Sequence, residues 1–272
     1  PSPRCYDYQG SAELPHLGKS EICSLIIAHS GGFMIYRYLL LDLDGTLLPM
    51  DTDSFIRKYL EAIAARLQPY LPPQEFIVHL LAATETMVRN KDLELTNEEV
   101  FMADFFRRSN LKPAEILPVF DSFYREDFPC LVCHTSPTSL APQILAQALK
   151  CNLELIIATN PVFPRIAIEE RMRWAGVDNF PFRLVTTYEN MHFCKPLQEY
   201  YSEILAYLGA QPEHCLMVGN DVEEDMIAAE LGIHTYLVDD YLINRSGRPV
   251  QSHYQGSLED FLAFLRGMSD SL

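Results

Sequence analysis

The sequence predicts an α/β fold: a doubly wound parallel sheet with an α-helical domain inserted after its first strand. Three observations carry this expectation. Short, nearly continuous apolar runs, such as Leu39-Leu40-Leu41 and Leu153-Glu154-Leu155-Ile156-Ile157-Ala158, read as strands buried on both faces. From residue 135 onward such runs alternate with helix-length segments, the rhythm of strand-helix-strand units. Residues 47–134, between the first run and that alternation, carry their apolar positions at helical spacing instead.

Taken in order, residues 1–33 mix Pro, Ser, Gly and Tyr with one short apolar patch at 22–28, and are expected to form a poorly ordered extension with Met34 as the functional start. Gly18-Lys19-Ser20 echoes a phosphate loop, but Glu13 stands where its leading glycine belongs and no strand precedes it. The first strand runs into Asp42-Leu43-Asp44-Gly45-Thr46, and Gly45 ends it with a turn. Phe55, Tyr59, Ile63 and Leu67 mark a first helix; Phe76, Ile77, Leu80 and Leu81, continuing to Met87 and Val88, mark a second. Thr96-Asn97-Glu98-Glu99 is a capping box opening a third, with Val100, Phe101, Phe105 and Phe106 on its apolar side. A fourth is expected over 113–128, where Pro113 suits the first turn and Pro118 should bend or restart it. Further helices are expected at 143–150, 164–175, 197–208 and 222–231, the last three stopped by Gly176, Gly209 and Gly232. Strands are expected at 153–158, 183–187, 215–218 and 233–238, followed by an amphipathic helix at 258–265. The domain boundaries follow: 34–46 and 135–272 as the α/β core, 47–134 as the helical insertion.

A chain of 272 residues with 48% hydrophobic and 21% charged residues has the composition of a soluble globular protein. No apolar run reaches the roughly 18 to 20 residues that span a bilayer. A formal net charge of −16 argues against nucleic acid or an anionic membrane surface as partner. It also repels a phosphorylated small molecule unless a divalent cation and a few local cations offset the field. Seven scattered cysteines, an odd number, suit reduced and mostly buried thiols in a cytoplasmic protein. Cys130-Leu-Val-Cys133-His134 matches the spacing of haem attachment, yet its apolar setting favours structural cysteines near a domain junction. No second Cys or His pair completes a zinc site.

In an open parallel sheet, ligands bind beyond the carboxyl ends of the strands. Asp42 and Asp44 end the first strand, Thr159-Asn160 and Asn220-Asp221 end later ones, Asp225 follows four residues after Asp221, and Lys195-Pro196 opens a helix. Each alone has an ordinary reading: a turn or N-cap for Thr159-Asn160, a solvated helix start for Lys195, helix-dipole partners for Asp221 and Asp225. On one sheet edge they bring together a hydroxyl, an amine and several carboxylates. His192 and His214 flank these positions, while Arg57, Lys58, Arg89, Arg107 and Arg108 in the insertion are candidates for substrate anions or a solvated helix face.

In this order and on these elements, Asp42-x-Asp44-Gly45-Thr46, Thr159-Asn160, Lys195-Pro196 and Gly219-Asn220-Asp221 with Asp225 resemble the haloacid dehalogenase-like hydrolase superfamily. The insertion resembles its helical C1-type cap. The resemblance implies a Rossmann-like core in which Asp42 is a nucleophile attacking phosphorus and Asp44 the general acid and base. It makes Gly45, Thr159, Asn160 and Lys195 the substrate-binding set, with Lys195 offsetting the phosphoryl charge. It gives Mg²⁺ as cofactor, held by Asp42, the backbone carbonyl of Asp44 and the Asn220/Asp221 pair, with Asp225 nearby. The family usually has Gly-Asp at the last motif, so Asn220 is a departure, and Asp221 and Asp225 are the expected contacts to the metal. Asp44 favours phosphoester hydrolysis over dehalogenation, because a departing halide needs no proton. The expectation is a Mg²⁺-dependent phosphatase of a small phosphorylated metabolite, as monomer or homodimer. Its alternatives are a phosphomutase or phosphotransferase, a dehalogenase, and a non-catalytic phosphate-binding or regulatory protein.

Overall fold

The computed structural model describes residues 36–269. The extension expected at 1–33, the start at Met34, and Cys5 and Cys23 lie outside the described residues. β1 (Tyr38–Leu41) is wholly buried because it is the innermost apolar run, paired in parallel on one side with β2 (Glu154–Ile157) and on the other with β4 (Cys215–Gly219). With β3 (Phe182–Val185), β5 (His234–Val238) and β6 (Tyr254–Gly256), the sheet runs β3-β2-β1-β4-β5-β6, and every pairing is parallel.

Between β1 and β2 the chain forms α1 (Thr52–Leu67), α2 (Pro73–Val88), α3 (Asn97–Ser109) and α4 (Pro113–Ser122). The Asp51 carboxylate accepts the Ser54 N–H at 2.7 Å and starts α1. The capping box of α3 is formed in both directions: Thr96 Oγ1 accepts the Glu99 N–H, and Glu99 Oε2 accepts the Thr96 N–H at 2.8 Å. α4 passes through Pro118 without restarting. Pro118 and Ala114, whose carbonyl loses its donor, both lie on the exposed face, where that carbonyl is open to solvent. The chain becomes irregular only afterwards, as a π turn at Phe123–Asp127 and a 3-10 stretch at Phe128–His134.

The insertion shares one hydrophobic cluster with the core. Tyr59 packs edge-on against Phe163 with centroids 5.0 Å apart, and Phe128 stacks on Trp174. The first turn of α3 is fastened to core loops by backbone bonds, from Asn97 N–H to the Met191 carbonyl and from Glu98 N–H to the Tyr188 carbonyl.

Core helices α5 (Leu140–Lys150), α6 (Arg165–Trp174) and α8 (Leu258–Ser269) cover the face of the sheet that carries Leu39 and Leu41; α7 (Gln198–Leu208) covers the face of Tyr38 and Leu40. This is the doubly wound arrangement, and the alternation along β1 is its local cause. Two expectations are corrected, and the described thiols are mostly buried as expected. Residues 222–231 are not one helix: a turn precedes a 3-10 segment, Met226–Leu231, because the Asp221 and Asp225 carboxylates take backbone N–H groups of that turn. β6 is an additional edge strand, three residues long and half exposed, too short to leave a periodic signal. Cys151, Cys194 and Cys215 are buried, but Cys130 and Cys133 are exposed on the 3-10 stretch. Among the described residues no helix is long and apolar enough to cross a membrane.

Candidate active site

The register of the sheet assembles the site. Leu41 is opposite both Ile157 and Val218, and the ladder continues one step further, with Asp42 N–H donating to the Val218 carbonyl and Ala158 N–H to the Leu41 carbonyl. Asp42 therefore leaves the sheet between Ala158 and Gly219, with Thr159 and Asn220 next along their own strands.

Lys195 enters this edge from the loop before α7. Its Nζ lies 2.9 Å from Asp42 Oδ1 and 2.6 Å from Asp225 Oδ1, with the side chain only 1% exposed. Burial works against the ammonium, but the two carboxylates outweigh it and hold its pKa well above the usual lysine range. Burial likewise raises the Asp42 carboxyl, opposed by Lys195 and assisted by Asp44. It brings Asp225 up to about 6 and Glu224 to about 7. Asn160 braces the lysine loop: its Oδ1 accepts the Lys195 N–H and its Nδ2 donates to Glu224.

Thr46 Oγ1 is 3.1 Å from Asn220 Oδ1 and 3.5 Å from Asp42 Oδ2, so these two oxygens border one spot. Two glycines permit the approach. Gly45 has φ +80°, and a Cβ there would sit 2.4 Å from the Asn220 side chain. A Cβ on Gly219 would sit 2.1 Å from the Asp225 carboxylate.

Asp44 is turned toward Arg171, with which it forms an ion pair; Asp44 Oδ1 and Arg171 Nη2 are buried without partners. The Arg171 guanidinium lies over the Phe163 ring, 4.4 Å from its centroid. The Asp221 carboxylate is engaged elsewhere, accepting the N–H groups of Glu223 and Glu224 through Oδ1 and pairing with Arg245 through Oδ2.

The structure thus brings Asp42, Lys195, Asp225 and Asn220 together, with Thr159 beside them by register. Asp221 and Asp225, expected at the metal, pair with Arg245 and Lys195 respectively. Arg171, Thr46, Glu224 and Arg245 were not expected. Two of them left a readable trace: Thr46 as the last residue of the Asp42-x-Asp44-Gly45-Thr46 motif, and Arg171 as a charged residue on the apolar stripe Ala167, Ile168, Met172 of its helix. Five of the seven outlying candidates are paired away from the site: His192 with Glu203, Lys58 with Glu61, Arg89 with Glu85, and Arg107 and Arg108 with Asp104.

A family model described as haloacid dehalogenase-like hydrolase matches residues 36–232, which hold every one of these groups except Arg245. The chain belongs to the haloacid dehalogenase-like hydrolases. Solved structures similar to this hydrolase include a HAD phosphatase from Thermococcus onnurineus, at TM-score 0.53 and 18% identity, over 85% of this chain and 98% of that one. CbbY from Rhodobacter sphaeroides, in complex with phosphate, matches at TM-score 0.53 and 17% identity over 85% and 100% of the two chains. L-2-haloacid dehalogenase from Xanthobacter autotrophicus matches at TM-score 0.51 and 15% identity over 86% and 100%. At these identities the likeness is one of fold, shared by a phosphatase and a dehalogenase alike. No curated protein matches the chain by sequence.

In this haloacid dehalogenase-like hydrolase the site is overcharged. With every carboxyl ionised, Asp42, Asp44, Asp221, Glu224 and Asp225 face three cations, Lys195, Arg171 and Arg245, a formal excess of two negative charges. Its free donors are all oxygens. Among the described residues no three His, Cys, Asp or Glu side chains form a ready metal-binding group. That donor set fits Mg²⁺, which takes one or two carboxylates and completes its shell with water and substrate phosphate.

Proposed function

We propose that this chain is a Mg²⁺-dependent phosphatase that hydrolyses a small phosphorylated metabolite through an aspartyl-phosphate on Asp42. The observation that carries the reading is the second carboxyl, Asp44, two residues after Asp42 on the same turn. An ester oxygen leaving phosphorus needs a proton, and a leaving halide does not. Asp42 attacks phosphorus as the ester P–O bond breaks, and Asp44, rotating from Arg171 toward the leaving oxygen, supplies its proton. A water molecule then gives its proton to Asp44 and attacks the phosphoryl group, which returns Asp42 as carboxylate and releases phosphate.

Lys195 neutralises Asp42 and the phosphoryl oxygens in a buried setting, where such charge compensation is strongest. Thr159, the Asn160 N–H and the backbone at Gly45 border the phosphoryl oxygens. Mg²⁺, when bound, supplies a further positive charge there. Asp42 and Asn220, whose oxygens share Thr46, and the Asp44 carbonyl would hold it, with Asp221 behind them. Residues 47–134 act as the cap on the 34–46 and 135–272 core, excluding water as they close.

Phosphate release from acetyl phosphate and from aryl phosphates, with and without Mg²⁺, tests the reading. Asp42→Asn is expected to cut the rate by about a thousandfold or more, and Asp44→Asn to harm esters of poor leaving groups more than good ones. Activity surviving Asp42→Asn would remove the mechanism.

A further inference from the structure

We infer that the organic part of the substrate is an apolar or aromatic group without negative charge, held in a cavity between the helical insertion and the core. This deepens the phosphatase reading and rests on it. The cavity measures about 310 Å³ and is walled by Ile56, Leu60, Ile63, Leu80, Phe101 and Phe163, among others. Phe163 places it next to the site: Arg171 lies over that ring and is ion-paired with Asp44, the group that would protonate the leaving oxygen.

The polar groups of the lining point to one class of occupant. Tyr59 and Tyr124 share a hydrogen bond of 2.9 Å, and the Thr84 hydroxyl donates to the Leu80 carbonyl. Every charged lining residue is acidic: Glu98, Asp121 and Glu189; none is Lys, Arg or His. Asp121 is paired with Arg125, and Glu189 accepts the Arg165 N–H at the start of α6. Burial, and then Glu189, raise the Glu98 carboxyl. A substrate with a carboxylate or second phosphate on its organic part would meet only like charge here, whereas an apolar group would cover apolar wall.

The test compares three esters of similarly poor leaving groups: 2-phenylethyl phosphate, glucose 6-phosphate and phosphoglycolate. Acetyl phosphate, too small to fill the cavity, is the reference. We expect kcat/KM for 2-phenylethyl phosphate to exceed the other two esters by at least about tenfold. Thr84→Trp, which fills the cavity with an indole, should lower 2-phenylethyl phosphate relative to acetyl phosphate by about tenfold, and Glu98→Lys should raise phosphoglycolate relative to 2-phenylethyl phosphate.

Parity of the three esters, or a preference that survives Thr84→Trp, overturns the inference while acetyl phosphate turnover leaves the phosphatase reading intact. If Asp42-dependent turnover of acetyl phosphate is absent, the reading itself fails. The cavity is then judged by saturation-transfer NMR with 2-phenylethanol: a signal lost in Thr84→Trp supports an apolar site, and no signal in the native protein overturns it.

Discussion

Lys195 is the residue on which the buried charges of the site depend. With Nζ within 3 Å of both Asp42 and Asp225, its removal leaves two carboxylates without their cation. Lys195→Met is therefore expected to cost about 3–5 kcal/mol at neutral pH. The cost should shrink in acid. A carboxyl whose folded pKa lies above its unfolded value binds protons preferentially in the native state, so its contribution is complete below the unfolded value and is lost as pH rises through the folded one. Asp225 already stands at about 6 with Lys195 lowering it, and without the lysine that window moves upward. Urea titrations at pH 5 and 7.5 should show the gap between variant and native protein widening with pH. At this scale the sequence was legible where a polar residue directly follows an apolar run, as Asp42, Thr159 and Asn220 do. It was illegible where a partner arrives from a distant segment, as Arg171 and Arg245 do, since their roles depend on packing and not on local pattern.

Among the elements, α3 does two jobs: its first turn is fastened to the core loops and its Phe101 walls the cavity. Thr96→Ala removes one half of its capping box and should cost about 1 kcal/mol, read as a lower urea midpoint with faster amide exchange in that turn. The β5–β6 edge is pH-sensitive in the opposite sense to the lysine site. His234 and His253 stack at 4.5 Å, with Tyr36 Oη 2.6 Å from His234 Nδ1 and Tyr254 alongside. Burial lowers both imidazoles, and His253 lowers His234 further. The unfolded chain then binds more protons below about pH 6.5, so stability is lost as pH falls through that range. His234→Gln should flatten the melting temperature between pH 7 and 5.5. Helices and strands with long apolar periods were readable from sequence. β6 was too short, and 222–231 was misread because two aspartates competed for its backbone.

For the whole molecule, the excess of negative charge predicts that a divalent cation stabilises the fold. At ten times its dissociation constant, one Mg²⁺ bound only by the native state adds about 1.4 kcal/mol, or a few degrees in melting temperature. Sodium chloride at matched ionic strength should not reproduce the shift, and Asp42→Asn should diminish it. The overall plan, a parallel sheet interrupted by a helical insertion, was written in the change of hydrophobic period along the chain. How the insertion's aromatic residues meet Phe163 and Trp174 was not, because no local rule sets a contact between segments so far apart. Placing β1 at the centre of the sheet while it precedes every other described strand carries a cost during synthesis. The four apolar residues before Asp42 leave the ribosome well ahead of their ladder partners, residues 154–157 and 215–218. Until those emerge the nascent chain displays an unpaired apolar segment, the kind of surface that makes a partly made chain prone to aggregate.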